Sequence, residues 1–217
     1  MTIRFTKMHG AGNDFVVLNN LEGLLNLELG IIKSLADRHF GVGADQILVV
    51  EKPLDSANDF KYRIFNADGQ EVQQCGNGAR CFAQYVLQKG LTDKKSIRVE
   101  TLAGVITPEI VDEHRVRVNM GQVRFDPAQV PFVMEGLTTR AGGGLIQYQL
   151  PIDSGQGQTE TWASVASMGN PHVVLLMDRA PSDDYVQHAG STLESHPRFP
   201  ERVNVGFLTV LEKTKVR

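Results

Sequence analysis

Cys75 is one of only two cysteines in the chain, and Gly76-Asn77-Gly78 follow it directly. From Ala79 the apolar residues Ala79, Phe82, Ala83, Val86 and Leu87 recur at helical spacing. Cys81 and Tyr85 widen that stripe, so the helix is expected to be buried on most faces. Gly76 and Gly78 allow a sharp entry and leave the first amide N–H groups uncovered, and Gly90 suits the C-terminal cap. The pattern therefore sets a thiol at a helix N-terminus beside free donors. A free thiol with a pKa of about 8.5 is only a few per cent ionised at neutral pH. Moving such a value by about two units takes roughly 2.7 kcal/mol, while a helix dipole supplies about 0.3–1 and at most about 2. A second group or a dry pocket has to contribute the rest. The N–H groups of Gly76 and Asn77 could also hold a carboxylate. A base beside an anion hook points to proton transfer at a carbon next to a carboxylate. A buried structural cysteine fits these residues equally well, because free cysteine is common in cores.

Composition narrows the setting. The 217 residues are 41% hydrophobic and 22% charged, which suits one large or two small globular domains. A net charge of −3 offers no electrostatic case for nucleic acid or an anionic membrane surface. No apolar run reaches the length of a span, and residues 1–5 lack a signal-peptide core. Cys75 and Cys81 on one helix lie roughly 9 Å apart along its axis and point in different directions, which rules out pairing within it. No metal-ligand spacing is present. A cytoplasmic, metal-free protein is expected.

Taken in order, residues 2–6 read as a strand, 8–14 as a glycine-rich loop and 15–18 as an apolar strand. That loop lacks the full pattern of a phosphate cradle. A helix is expected over 28–38, with Ile31, Ile32, Leu35 and Ala36 inward, then strands over 46–50 and 62–65. A tight turn at Asn66-Ala67-Asp68-Gly69 and a short extended piece lead into Cys75. Beyond the helix, residues 96–101, 105–111 and 115–120 alternate like strands. Gly121 and Pro127 mark a domain boundary near residue 120, giving domains 1–120 and 121–217. In the second, 140–144 reads as a loop, 147–152, 159–166, 173–177 and 205–211 as strands, and 184–195 as a helix.

The second half echoes the first. Gly12-Asn13-Asp14-Phe15-Val16-Val17-Leu18 resembles Gly169-Asn170-Pro171-His172-Val173-Val174-Leu175, an offset of 157 positions (13 to 170). Each is followed by a helix and an apolar strand, which suggests two similar domains. The counterpart of Cys75 would fall near position 232, past Arg217.

These segments resemble the diaminopimelate epimerase family. The matches are Met8-His9-Gly10-Ala11-Gly12-Asn13-Asp14-Phe15, Gly41-Val42-Gly43-Ala44-Asp45-Gln46, Phe65-Asn66-Ala67-Asp68-Gly69, Cys75-Gly76-Asn77-Gly78-Ala79-Arg80-Cys81, Met168-Gly169-Asn170-Pro171-His172 and the stretch from Phe199 to Phe207. The resemblance implies an α/β (α+β) fold of two pseudo-symmetric domains, each wrapping mixed strands round a central helix, with substrate between them. It implies cofactor-independent interconversion of LL- and meso-diaminopimelate, in lysine and peptidoglycan precursor synthesis, by a pair of cysteines. Cys75 is then the first of the pair. Gly76 and Asn77 bind the carboxylate at the reacting carbon, and Asn13, Gln46, Asn66, Asn170 and Asn204 are further substrate ligands. His172 matches a histidine that tunes the thiols. A lining of neutral amides suits a zwitterion, since an amide can donate to carboxylate and accept from ammonium. No cofactor is expected, and the likeness implies a homodimer.

The family continues with a second Cys-Gly-Thr-Gly helix and an arginine for the distal carboxylate, and neither lies within these residues. The second domain is thus expected to be truncated before its central helix, and residues 1–217 to be inactive alone. Three other functions share parts of this pattern. A proline or hydroxyproline racemase would share fold and thiols. A cysteine hydrolase would use Cys75 with His172. A non-catalytic amino-acid-binding protein would bind without proton exchange.

Overall fold

The computed structural model describes residues 2–73 and 75–217. The chain divides into two compact units, meeting in sequence between Met120 and Gly121.

The first unit opens with β1 (Phe5–Gly10) and β2 (Asn13–Asn19), followed by α1 (Leu29–Ala36), β3 (Gln46–Glu51) and β4 (Phe60–Asn66). β1 and β2 form an antiparallel pair, with Gly10 opposite Asn13. The glycine-rich stretch expected to be a loop is therefore mostly strand. Only Ala11 and Gly12 turn, and both take positive φ (52° and 87°), the backbone of a tight two-residue hairpin. β2 runs parallel to β3 and β3 antiparallel to β4, in a register that aligns Phe15 with Gln46 and Gln46 with Asn66. β5 (Glu71–Val72) folds back on β4 after the Asn66–Gly69 turn. The extended piece expected before Cys75 passes through Gln74, outside the described residues. Next come α2 (Gly76–Gln88) and four short strands, β6 (Val99–Thr101), β7 (Gly104–Ile106), β8 (Glu109–Ile110) and β9 (Val116–Arg117). The expected long strands are cut here: proline at 108 splits one, and Asp112 turns the next by accepting from the His114 and Arg115 N–H groups.

Strand alternation explains why the sheet is buried twice. Val16, Leu18, Ile47, Val49 and Phe65 face α1, where Ile32 and Ala36 are fully packed. Phe15, Val17, Leu48, Val50, Tyr62 and Ile64 face the opposite way, onto Ala79, Phe82, Ala83 and Val86 of α2. Phe82 anchors that layer. It stacks on Tyr62 at 5.1 Å and meets Phe60 edge-on at 5.8 Å.

The second unit contains β10 (Thr139–Gly142), β11 (Leu145–Asp153), β12 (Gln158–Ser167) and β13 (Pro171–Met177), then α3 (Asp183–Glu194), β14 (Asn204–Glu212) and β15 (Lys215–Val216). The loop expected at 140–144 is again a hairpin, with β10 paired to β11 and positive φ only at Gly143 and Gly144 of that turn. Ser182 starts α3 by accepting from Tyr185 N–H. The six strands run in sequence order, with β13 parallel to β14 and its other neighbour antiparallel. This repeats β1–β2–α1–β3 of the first unit, as the offset of motifs implies. Val173 and Leu175 pack with Ala189 and Leu193 of α3. His172 and Val174 alternate onto the other face of that sheet, at positions equivalent to Phe15 and Val17, which pack against α2 in the first unit.

Candidate functional site

Each of the first unit's predicted site residues falls at one end of the sheet, against the start of α2. Asn13, Gln46 and Asn66 share the strand parity of Phe15, Leu48 and Ile64, so all three belong to the α2 face. Gln46 Nε2 donates to Asn66 Oδ1 at 2.9 Å, and Gln46 Oε1 is buried with no partner among the described residues. That oxygen is an acceptor still able to take a donor.

Cys75 is the N-cap of α2, with extended backbone. Its sulfur accepts from Gly78 N–H at 3.3 Å and lies 3.8 Å from Asn13 Oδ1. A sulfur cap followed by two glycines is a local consequence of sequence. Gly78 brings its Cα so close to the sheet that an added Cβ would sit 3.3 Å from Leu48 and 3.4 Å from Cys75 Cβ. Gly10 does the same for β1, where a Cβ would lie 3.3 Å from Cys81 Sγ and 3.5 Å from Asn77 O. Small residues on both sides thus let the helix end approach the strand ends. Gly76 and Asn77 occupy the first two helical positions, whose N–H groups have no intrahelical acceptor. Arg80, which sequence reading left without a role, curls back over this turn. It donates to Gly76 O at 3.2 Å and to Asn77 Oδ1.

The two thiols differ in setting. Cys75 is part-exposed, whereas Cys81 is buried at 4% exposure. Burial first, and then the nearby Cys75, push the Cys81 thiol up to about 11. At neutral pH Cys81 is a packed, protonated side chain.

In the second unit Asn170, His172 and Asn204 gather at the start of the parallel pair β13–β14. His172 stands opposite Asn204 in register, and its Nε2 lies 3.1 Å from Asn170 Oδ1. Asn204 Nδ2 donates to Pro171 O at 3.0 Å. Burial lowers the His172 pKa below its ordinary value, which keeps the ring neutral at pH 7. These positions mirror Asn13, Phe15 and Gln46 across the repeat.

Sequence reading missed the charged clamp behind Asn13. Asp14 and Asp45 cap each other's backbone: Asp45 N donates to Asp14 Oδ1 at 2.8 Å, and Asp14 N to Asp45 Oδ2 at 3.0 Å. Arg38 bridges the two carboxylates at 2.8 and 2.7 Å, and Lys7 joins Asp14 at 2.8 Å. The Arg38 hydrogen bond is the main reason the Asp14 carboxyl is held well below the usual carboxylate range. An aspartate directly beside a candidate ligand in both Asn13-Asp14 and Asp45-Gln46 was the available signal.

Residues 5–125 match the family model described as Diaminopimelate epimerase. Over 217 residues the chain is 52% identical to the diaminopimelate epimerase of Cupriavidus necator and 50% identical to that of Cupriavidus taiwanensis. It spans 74% of each relative and is itself covered completely. A solved structure of a probable proline racemase from Agrobacterium radiobacter, with bound carbonate, has a TM-score of 0.56 at 18% identity, covering 100% of this chain and 69% of that one. A hydroxyproline epimerase from Agrobacterium vitis, with bound trans-4-hydroxy-L-proline, gives 0.51 at 17% identity, covering 89% and 54%. At these identities the two structures establish the fold alone.

Proposed function

The chain belongs to the diaminopimelate epimerase family, and from that premise we propose that it works on diaminopimelate by thiol acid/base chemistry with Cys75 as one of two proton carriers. The observation that carries this is the sulfur capping α2, between Gly78 N–H and the Asn13 side chain. As thiolate, Cys75 takes the α-proton: the C–H bond breaks, an S–H bond forms, and the electron pair passes toward the substrate carboxylate. The N–H groups of Gly76 and Asn77 stabilise the charge that develops there. Asn13, Gln46 and Asn66 serve as neutral amide ligands, and Asn170 and Asn204 are assigned the same role. His172 is assigned to tuning thiol ionisation. A second thiol returns a proton to the opposite face of the carbon. Cys81, buried and protonated, is unsuited to that part. The family resemblance also supports a homodimer.

Substrate class is tested by incubating the protein with diaminopimelate or L-proline in D2O and reading α-deuterium by mass spectrometry. Label in diaminopimelate, from exchange at the one face that Cys75 serves and without inversion of the centre, and none in proline is expected. Label in proline alone would move the reading to the related racemases. Calorimetric binding of diaminopimelate without any label would replace catalysis by simple binding.

A further inference from the structure

We infer that Asp45 is a positioning residue that fixes which end of the Asn13 amide faces the Cys75 sulfur. Asp45 Oδ2 accepts from Asn13 Nδ2 at 3.0 Å, while its Oδ1 is paired with Arg38 at 2.7 Å. A carboxylate held by arginine can only accept hydrogen bonds, so it selects the nitrogen end of the amide. The carbonyl end is thereby turned toward Cys75, 3.8 Å from the sulfur. The same Asp45 oxygen also accepts from Asp14 N–H at 3.0 Å, and Asp45 N–H is capped by Asp14. The carboxylate is therefore fixed on several sides and cannot follow the amide if it turns.

The orientation has a chemical consequence at the sulfur. A carbonyl oxygen accepts from a thiol S–H but offers nothing to a thiolate, whereas an amide N–H would donate to the thiolate and favour it. Holding the oxygen inward gives the Cys75 S–H an acceptor, as a residue that must act as acid as well as base requires. This rests on the proposed role of Cys75. Its test reads the thiol directly, so a failure here is distinguishable from a failure of the deuteration assay.

The test is the rate of iodoacetamide alkylation of Cys75 at pH 7, followed by peptide mass spectrometry. Asp45→Asn keeps the shape, and with its one oxygen held by Arg38 it presents an NH2 to Asn13, which favours the turned amide. Alkylation is expected to rise about 3–10-fold, the equivalent of one ordinary hydrogen bond. In an Asn13→Ala background the same substitution should change nothing, because the effect passes through Asn13. Arg38→Ala, which loosens the clamp and leaves the Asp45 carboxylate, should lower the melting temperature and keep the wild-type rate. If Asp45→Asn does not fold, Asp45→Ser, with a hydroxyl to cap Asp14 N–H, carries the same expectation. An unchanged rate in Asp45→Asn, or an equal rise in the Asn13→Ala background, would overturn the inference.

Discussion

Asp14 shows how much of the site's framework is held by single side chains. Its carboxyl is depressed by Arg38 and Lys7 and by Asp45 N–H, and it starts from an ordinary value of 3.8. A folded-state value below the unfolded one stabilises the fold at pH values above about 4, and that contribution is lost as pH falls further. Arg38 is half exposed, so solvent screening reduces the gain. Asp14→Asn is accordingly expected to cost about 1 kcal/mol at pH 7, and the gap to wild type should start to narrow below about pH 4 and shrink further as pH falls toward the depressed folded-state value. Denaturant melts stepped from pH 7 down to pH 2 check this, and a gap that stays constant over the whole range would contradict the assignment. Beyond the aspartates beside Asn13 and Gln46, this clamp was not legible beforehand. Its partners lie 24 and 31 positions apart in sequence and follow no periodicity.

At the scale of elements, α2 was the most legible part of the chain. Its apolar residues repeat with helical period, and glycines flank it at both ends, so its face and its start at Cys75 could be read directly. The β1–β2 hairpin was hidden, because Ala11 takes a positive φ that sequence assigns to glycine or asparagine. The docking of α2 is what places Cys75 at the strand ends, and Phe82 is its main contact with the sheet. Phe82→Ala should cost about 3–5 kcal/mol through the cavity it leaves between Phe60 and Tyr62. Chemical denaturation would show this as a lower midpoint, and a loss under about 1 kcal/mol would mean that α2 is held by something else.

For the molecule as a whole, the internal echo was readable from motif offset, because each half repeats strand, helix and parallel strand. What could not be read is how the repeat distributes its cores. The first unit buries both faces of its sheet, one against α1 and the other against α2. In the second, α3 packs on the face that corresponds to α1. Residues 1–120 therefore contain complete cores of their own and are expected to fold as a separate fragment with a cooperative thermal transition. Circular dichroism of that fragment decides it, and a broad, non-cooperative melt would show that the first unit depends on the second.

The central claim is that the sulfur at the head of α2 is the base. It is tested most directly by comparing α-deuteration of diaminopimelate in D2O by wild type, Cys75→Ser and Cys81→Ser. Serine keeps the cap of α2 but not the acidity of a thiol, so Cys75→Ser should fold like wild type and lose about 10³-fold in exchange rate. Cys81→Ser should retain exchange within a few-fold. Exchange that survives in Cys75→Ser, or that is lost only with Cys81, would contradict the account.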